Sequence, residues 1–454
     1  MAFKKDFSMF GLIEHLWDYD RYLMSDDYDR ALAYLADRVD MKILEVPSGT
    51  ACSTWRVPEK WTCREAYVET LDGRRVLDVA RRNAYCVAYS QPFEGVVLRE
   101  ELLEHLFSKH PIETNDSTDG VPFLWTFYYR TGWGLACTPE VKDTLKNDRY
   151  RVVIRTERSP GILKIGEVTL PGESDQAFLI CAHLCHGHMV QDGLTGVVVG
   201  LDAMRWLAER SGRRYTYKLI LAPETIGGIA WIEKNRALLP HVRGGVYLDM
   251  LGLPNPIALQ LSHWADSEVD RCFEIALHQR EPDGWVGGFR TIVGNDERQY
   301  DGPGIRIPMV GLSRSLPRTD KYFPFRDYHT DRDTPEKVDV GRLEASRDFL
   351  LAAVDLLERN HYPVNRFWGE VFLSGLGFDV DFYRDPAQHA VVMGTMHLLD
   401  GTHSIVDIVE KTGFRADAVL KVIEGFRSQG VVTLSETPVD TALWKPGPRD
   451  GRGP

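Results

Sequence analysis

Short apolar runs alternate with amphipathic stretches between about residue 150 and residue 360. Brief runs of this kind are typical of strands buried on both faces of a sheet, and the stretches between them fit helices. The pattern predicts an α/β fold whose central sheet is parallel, with ligands bound at the carboxyl ends of its strands. The predicted strands are 177–182, 217–222 and 244–249, and the predicted helices include 194–209 and 342–359.

A different pattern precedes this region. Apolar residues at helical spacing predict two helices between residues 7 and 39. Short runs rich in Val, Tyr, Trp and Thr then follow, and AYVET, Asp72-Gly73 and RRVLDV together predict a hairpin. We therefore expect a small antiparallel β domain inserted at 43–117, with a structural or a lid role.

The C-terminal region predicts a third kind of domain. Residues 388–434 have the pattern of three helices and a strand, with a capping box formed by Ser404 and Asp407. That order is typical of a winged helix. The expected division is N-terminal helices at 1–42, the β domain, the α/β domain at 118–362, a winged-helix domain at 363–442 and a disordered tail at 443–454.

Charge limits the classes of partner. The net charge of −12 argues against nucleic acid, because phosphate binding needs clustered Lys and Arg. The third helix of the predicted winged helix carries only Lys421 and Arg427 as basic residues. Docking or dimerisation is therefore favoured over DNA reading, and a homo-oligomer could form through this domain or the β domain.

Two features bear on the compartment. The N-terminus lacks the apolar run and the cleavage site of a signal peptide, and no stretch approaches the ~20 apolar residues that span a bilayer. The seven cysteines are odd in number and irregularly spaced, which fits a reducing compartment. We expect a cytoplasmic protein without a membrane partner.

The candidate chemistry begins in CAHLCHGHMVQDG, from Cys181 to Gly193. His183, His186, His188 and Asp192 follow directly on a predicted strand and precede a predicted helix. Three histidines and an aspartate in one short loop indicate a metal site.

Three later residues strengthen that hypothesis. Glu224 and Asp249 follow or end the next two predicted strands, so their side chains should meet the histidine loop at one edge of the sheet. His329 precedes the helix at 342–359, and Asp331 and Asp333 could hold its second ring nitrogen. The sequence thus predicts a metal centre assembled from four segments.

These segments resemble the zinc aminopeptidase superfamily, which also includes glutaminyl cyclases, over roughly residues 150–360. The resemblance implies that His183, Asp192 and His329 bind metal, that Asp249 is a further ligand and that Glu224 is the general base. It also implies a zinc-peptidase-like catalytic domain at 118–362. The inserted β domain and the winged helix resemble a narrower bacterial aminopeptidase-like family, whose members often accompany polysaccharide or natural-product biosynthesis.

Two positions depart from the superfamily pattern. Cys185 occupies the place of an aspartate that orients the first histidine, and Thr225 occupies the place of a glutamate that holds a second metal. A neutral threonine cannot replace that carboxylate, so one zinc ion is expected rather than two. His186 remains open as a substitute ligand.

The resemblance implies a zinc-dependent aminopeptidase or amidohydrolase that hydrolyses an amide bond of a small peptide-like or aminoacyl substrate. The alternative is a non-hydrolytic descendant that binds its ligand or performs acyl transfer or cyclisation. Asp296, Glu297 and Arg298 fall in a segment that resembles a substrate-side loop and could recognise a free amine or carboxylate. An exposed, salt-bridged loop is an equally open interpretation of that segment.

Overall fold

The structure is a computed structural model that describes residues 3–109, 115, 119–378 and 380–439. The predicted tail at 443–454 lies outside the described residues. The chain forms two compact units. The first comprises Met1–Asp270 and Asp283–Leu350, and the second comprises Arg271–Pro282 and Leu351–Pro454.

The helices within the described ranges are α1 (Met9–Leu16), α2 (Asp26–Ala36), α3 (Arg99–Glu104), α4 (Pro139–Asp143), α5 (Leu194–Glu209), α6 (Ile226–Lys234), α7 (Glu268–Arg280), α8 (Glu297–Tyr300), α9 (Val340–Arg359), α10 (Pro386–Met396), α11 (Ile405–Thr412) and α12 (Ala416–Ser428). The two predicted N-terminal helices are confirmed as α1 and α2. Ser8 and Ser25 cap them, each accepting a hydrogen bond from a backbone N–H of the first turn.

The strands in the same ranges are β1 (Lys42–Pro47), β2 (Ala51–Cys52), β3 (Trp55–Arg56), β4 (Lys60–Glu69), β5 (Arg75–Asp78), β6 (Tyr85–Cys86), β7 (Phe93–Leu98), β8 (Leu106–Phe107), β9 (Leu135–Ala136), β10 (Arg149–Ser159), β11 (Ile162–Leu170), β12 (Ala177–His183), β13 (Thr216–Ala222), β14 (Val242–Leu248), β15 (Ala258–Gln260), β16 (Trp285–Gly287), β17 (Met309–Ser313), β18 (Tyr362–Asn365) and β19 (Val432–Ser435).

The first unit is organised by an eight-stranded mixed sheet in the order β1-β11-β13-β12-β14-β17-β15-β16. Its central strands β13, β12, β14 and β17 run parallel, whereas β1 and β11 pair antiparallel at one side. All seven residues of β12 are buried, as its continuous apolar run predicts. The predicted α/β class with a centrally parallel sheet is confirmed, and α5 has its predicted bounds.

A smaller antiparallel sheet in the same unit has the order β5-β4-β10-β7. The predicted hairpin is confirmed as β4 and β5. The predicted domain bounds of 43–117 stay a prediction; β10, which pairs with β4 and β7, comes from beyond residue 117, and β1 belongs to the large sheet. In β10, buried and exposed residues alternate over much of its length, as in a strand with one face on a core. β11 follows after two residues and joins the large sheet.

The second unit contains α10, α11 and α12, followed by β19, which pairs antiparallel with β18. This is the predicted order of elements. The predicted capping box is present, since Ser404 accepts from the backbone of Asp407 and Asp407 accepts from the backbone of Ser404. Arg271 donates to the carboxylates of Asp407 and Glu410 and ties α7 to α11. The finer assignment as a winged helix stays a prediction.

None of the helices in the described part of the chain has both the length and the apolarity needed to cross a membrane.

Candidate metal centre

The ends of three neighbouring parallel strands place the candidate residues at one edge of the large sheet. His183 is the last residue of β12 and pairs with Ala222, the last residue of β13, two positions before Glu224. Asp249 follows the last residue of β14, which pairs with the other side of β12. The expected convergence of these three segments is therefore observed.

His183, Asp192 and Asp249 form the buried centre of this edge. The His183 Nε2 atom lies 3.0 Å from Asp192 Oδ1 and 3.5 Å from Asp249 Oδ1. Asp249 also accepts hydrogen bonds from its neighbour Met250 and from the Asn295 side chain, at 2.9 and 3.1 Å. Asn295 has no motif signal in the sequence. Gly193 is required here, since a Cβ atom at this position would lie 2.5 Å from the His183 ring.

His329 reaches the centre from the segment before α9. Its Nε2 atom lies 2.5 Å from Asp192 Oδ2, so the two oxygens of Asp192 face different histidines. In the described ranges, three sets of three buried side chains place their ligand atoms within 4.8 Å of one another. The sets are His183, Cys185 and His186; His186, Asp192 and His329; and His183, Asp192 and Asp249.

The chemistry of these groups fits a metal ion. His183 Nε2 and Asp192 Oδ2 are buried and, although each has a neighbouring polar atom within 3.0 Å, neither makes a hydrogen bond of acceptable geometry among the described residues. Polar atoms that are buried without hydrogen bonds are uncommon in proteins and need an explanation. Imidazole nitrogens and carboxylate oxygens are the ligands that zinc uses in catalytic sites. A divalent cation at this position would satisfy them.

Burial and charge act against each other on the carboxylates. Burial disfavours the ionised form of Asp192, but the neighbouring His329 and His183 hold its pKa well below the ordinary value. Burial and the nearby Asp192 charge raise the pKa of Asp249 to about 6. Burial lowers the pKa of His186 to about 3, so this ring is neutral near pH 7. Neutral imidazole beside carboxylates is the form that binds metal.

Glu224 lies beside this centre and outside the three sets. Its Oε1 atom accepts a hydrogen bond of 3.3 Å from Arg298, and its Oε2 atom lies 3.9 Å from His186 Nε2. The backbone N–H of Glu224 donates to Cys185 Sγ at 3.1 Å. The side chain is one-fifth exposed and lines an open cavity. This is the placement that a general base needs, although the role itself stays a prediction.

The cavity above the centre has a volume of about 470 Å³. Glu224, Arg298, His186 and His329 line one side. Seven aromatic residues also line the cavity and are called the aromatic wall: Tyr22, Trp55, Phe123, Trp125, Tyr128, Tyr129 and Tyr328. The Trp125 ring meets the His329 ring edge-on, with centroids 4.8 Å apart. Sequence reasoning assigned no function to this wall, because its members are scattered along the chain without a motif.

The three predicted substrate-binding residues take different positions. Asp296 is buried and accepts a hydrogen bond from the backbone of Thr225 at 2.7 Å. Glu297 is buried and accepts from Gln260 and from the backbone of Asn295. Burial raises the pKa of both carboxyl groups to about 7. Of the three, only Arg298 is among the residues that line the cavity.

The expected partners of His329 are wrong. Asp331 accepts from the backbone of Val121 at 2.8 Å. Asp333 accepts from the backbone N–H groups at 190–192, and so it holds the loop that carries Asp192. Spacing places both aspartates near His329, but backbone donors that are buried and unpaired bind these carboxylates instead.

Comparison with known proteins identifies the family. The family model described as "Domain of unknown function (DUF4910)" matches residues 10–360, which is most of the chain. The chain belongs to the DUF4910 family.

One related protein and two solved structures are similar to this DUF4910 member. A Clostridium acetobutylicum protein named "putative polysaccharide biosynthesis protein with aminopeptidase-like domain" is 28% identical over 428 residues, covering 91% of this chain and 95% of the relative. The crystal structure of a "putative peptidase" from Clostridium acetobutylicum is 26% identical, with a TM-score of 0.83 over 94% of this chain and 96% of that one. A zinc aminopeptidase from Bacillus subtilis is 13% identical, with a TM-score of 0.58 over 76% of this chain and 93% of that one. The expected resemblance to the zinc aminopeptidase superfamily is confirmed for the fold.

In this DUF4910 member, Arg21 holds the histidine loop from the N-terminal segment. Its side chain is fully buried and donates to the carbonyl oxygens of four residues: Leu16, Leu184, His186 and Met189. Its own carbonyl accepts from the backbone of His186 at 3.0 Å. Burial lowers the pKa of Arg21 to about 10, which leaves the guanidinium charged near pH 7. No sequence motif marks this residue.

The loops of this centre also carry left-handed backbone. His186, Thr225, Met250 and His329 have φ angles of 87, 65, 54 and 51°. Such angles are uncommon for residues other than glycine and are unfavourable for β-branched residues such as Thr225. They turn the chain sharply at or next to the residues that meet at the centre.

Proposed function

We propose that this protein is a metal-dependent amidohydrolase of the aminopeptidase type that acts on a small peptide-like or aminoacyl substrate. One observation carries the proposal. Glu224 lies beside, and outside, buried sets of histidine and aspartate side chains, and it lines the same open cavity as His186 and His329 of those sets. The aminopeptidase-like fold agrees with this assignment.

His183, Asp192 and Asp249 would hold a zinc ion, and His329 Nε2 lies 2.5 Å from the second oxygen of Asp192. A bound zinc ion lowers the pKa of water toward ~7 and polarises a carbonyl group. Asn295 fixes Asp249 through its hydrogen bond, and Asp333 fixes the backbone of Asp192. Such supporting bonds orient the ligands of a metal site.

Glu224 is the group that moves the proton in this proposal. It would accept a proton from the attacking water and deliver it to the nitrogen of the leaving amine. Arg298 donates to Glu224 and holds its carboxylate toward the cavity. Thr225, which also accepts from Arg298 at 2.9 Å, keeps the guanidinium in place.

The substrate side is formed by the aromatic wall. Aromatic rings bury large apolar area and stack on flat groups, so the wall suits an apolar or planar group next to the scissile amide. The Clostridium acetobutylicum relative is named for polysaccharide biosynthesis, which supports a biosynthetic role here. We propose the same context for this chain and a cytoplasmic location.

The second unit has its own proposal. We propose that α10–α12 with β18 and β19 form a winged-helix domain that docks on another protein or a second copy. Docking is favoured over DNA reading because Lys421 and Arg427 are the only basic residues of α12.

The test uses the purified full-length protein. Metal content is measured, the metal is removed with a chelator, and hydrolysis of a panel of aminoacyl amides is followed before and after zinc is returned. We expect bound metal, hydrolysis of at least one amide with an apolar side chain, and loss and recovery of activity with the zinc. A protein that binds no zinc, cobalt or manganese contradicts the proposal.

A specific observation favours a second function, non-hydrolytic binding or acyl transfer. Thr225 occupies the place of a metal-binding carboxylate, and its backbone is fixed by Asp296 rather than by the centre. Firm metal binding with no hydrolysis across the panel, while an aminoacyl amide still binds in calorimetry, would favour this alternative.

A further inference from the structure

Arg130 is a charged residue of the cavity lining that the proposed reaction does not use. It is exposed and follows Tyr129 in a segment that contributes several members of the aromatic wall. Tyr129 is 54% exposed, whereas His186 and His329 are 5 and 3% exposed. Arg130 therefore belongs to the open end of the cavity, away from the buried histidines.

The other charges of the cavity offset each other. Apart from histidine, the residues with formal charge that line the cavity are Arg130, Glu224 and Arg298. The Arg298 guanidinium donates to Glu224 at 3.3 Å and to Thr225 at 2.9 Å, and it also donates to the carbonyl oxygen of Gly294. Arg298 is thus occupied by the protein itself, and the positive charge of Arg130 is left over.

Arg130 has no such partner in the described part of the chain. Among the residues that the structure describes, its guanidinium has no carboxylate within 4.0 Å and donates no hydrogen bond. The whole chain has 66 acidic and 54 basic residues, so carboxylates outnumber the cationic side chains that they could pair with. The Arg130 guanidinium is therefore available to an anionic group of a ligand in the cavity.

The guanidinium group limits the chemistry of that ligand. Its planar fork of N–H donors matches the oxygens of a carboxylate or a phosphate, and it stays charged at every physiological pH. Pairs of this kind are stronger than neutral hydrogen bonds. The aromatic rings that share the cavity displace water around a bound ligand, which reduces the screening of the pair.

We propose that Arg130 selects substrates that carry a carboxylate or a phosphate group at the end remote from the scissile amide. The amide lies at the buried end beside Glu224, the aromatic wall holds the middle of the substrate, and the anionic group meets Arg130 at the open end. The inference rests on the proposed function, which decides where the amide lies. It narrows the substrate class from aminoacyl or peptide-like amides in general to acidic ones.

The test measures binding of inert probes to the full-length protein as purified. Reduced-amide analogues, in which a methylene group replaces the scissile carbonyl, cannot be hydrolysed and so report binding alone. Each probe joins a phenylalanine unit to a linear tail of graded length that ends in a carboxylate, a phosphonate, a carboxamide or an ammonium group. Calorimetry gives the Kd of each probe.

We expect the wild type to bind the carboxylate or the phosphonate form about 10-fold more tightly than the carboxamide form at the best tail length. Added salt should reduce this preference, because the pair at the open end is partly screened. Tighter binding of the phosphonate identifies a phosphate group as the preferred anion, and tighter binding of the carboxylate form identifies a carboxylate.

Two substitutions of Arg130 separate its charge from its shape. Arg130→Gln should bring the Kd values of the carboxylate and carboxamide forms within about 3-fold of each other. Arg130→Glu should reverse the preference, so that the ammonium form binds more tightly than the carboxylate form. Loss of a merely structural contact would not reverse it.

Arg149→Gln is the matched control. Arg149 is the first residue of β10, is exposed like Arg130 and is not among the cavity-lining residues. The Arg149→Gln variant should keep the wild-type ratio of Kd values.

Equal binding of the carboxylate, phosphonate and carboxamide forms by the wild type at every tail length would overturn the inference. An undiminished preference in Arg130→Gln, or no measurable binding of any probe, would do the same. None of these results decides the proposed function, which depends on bound metal and on hydrolysis of the amide panel. A protein that hydrolyses no amide can still show the preference, so the two failures are distinguishable.

Discussion

The two sides of the cavity differ in the elements that carry their residues and in how deeply those residues are buried. His186, Glu224 and His329 line one side of the cavity, and together with the buried His183, Asp192 and Asp249 they are called the polar floor. All of them but Glu224 are almost fully buried. The aromatic wall is more open, and its members Trp55, Trp125 and Tyr129 are 37, 38 and 54% exposed. The floor comes from the ends of parallel strands and from a clamped loop. Much of the wall comes from short strands and connecting segments.

The two sides are therefore expected to have different roles, the polar floor in the reaction and the aromatic wall in substrate recognition. Residues at strand ends keep their positions because the strands on both sides are buried and hydrogen-bonded. Residues on connecting segments can change without loss of the core, and so they adapt to different ligands. We expect substitutions in the floor to affect turnover and metal binding, and substitutions in the wall to affect substrate affinity.

The largest effect on turnover is expected for Glu224→Gln in the polar floor. Glutamine keeps the shape but cannot accept the proton, so kcat should fall by roughly 10²–10⁴-fold. Metal content should not change, since Glu224 is outside the ligand sets. Steady-state kinetics on the best amide of the panel and metal analysis of the same sample check this. Unchanged kcat would remove Glu224 as the base.

A second prediction concerns Arg21, whose buried side chain holds the histidine loop. Arg21→Met removes the charged donor from four buried carbonyl groups, so the free energy of unfolding should fall by about 3–5 kcal/mol. Zinc affinity should fall by about 10–100-fold, because the histidine loop loses its support. Denaturant unfolding and competition with a chromophoric chelator measure the two effects.

Arg64→Met is the control for that experiment. Arg64 forms an exposed ion pair with Glu157, with both side chains more than half exposed. Its loss should change the free energy of unfolding by less than about 1 kcal/mol. Equal effects of the two substitutions would show that Arg21 has no special part in the centre.

A third prediction concerns Glu167 of β11 in the large sheet and the pH dependence of its contribution to stability. Glu167 accepts from Lys218 and from Trp231 of α6, each at 2.8 Å. Burial tends to raise the pKa of Glu167, but these two bonds outweigh it and the pKa is lowered. Its contribution to stability is therefore present above the unfolded pKa of about 4.3 and is lost as the pH falls through the lower folded value.

Glu167→Gln should accordingly cost about 1–3 kcal/mol near pH 7. The difference from the wild type should shrink as the pH falls below about 4. Urea unfolding of both proteins at several pH values measures this. A difference that stays constant with pH would show that the Glu167 charge does not contribute.

The smallest expected effect belongs to the wall. The rings of Trp55 and Tyr129 meet edge-on with centroids 5.7 Å apart, at the open rim of the cavity. Trp55→Ala or Tyr129→Ala should raise KM by about 5-fold and leave kcat and metal content unchanged. Trp206→Ala, an exposed tryptophan of α5 that is not among the cavity-lining residues, is the control. A fall in kcat without a change in KM would contradict the division between the two sides.

The floor was largely predictable and the wall was not. His183, Glu224 and Asp249 follow apolar runs that are strands on any interpretation, and strand ends of a parallel sheet meet at one edge. His329 was found through its neighbours in a recognisable segment. The aromatic residues of the wall have no such pattern, since aromatic side chains are as common in cores as in cavities.

Several details could not be predicted, for a common reason. The strand that joins the small sheet from beyond the predicted boundary at 117, the partners of Asp333 and the contacts of Glu297 all depend on contacts between distant segments. β10 joins the small sheet from beyond that boundary, and Asp333 and Glu297 bind buried groups that spacing cannot reveal. Arg21 is the extreme case, since it bonds Leu184 across 163 positions of the chain.

The left-handed residues of the centre have a consequence for the evolution of the protein. Each backbone held in this region costs on the order of 1 kcal/mol of folding free energy, and four such residues lie at or next to the ligands. Selection for stability alone would place glycine or asparagine at positions such as Met250 and Thr225. The backbone strain at these residues is thus a cost in stability that accompanies the centre, so stabilising substitutions at these positions are expected to reduce function.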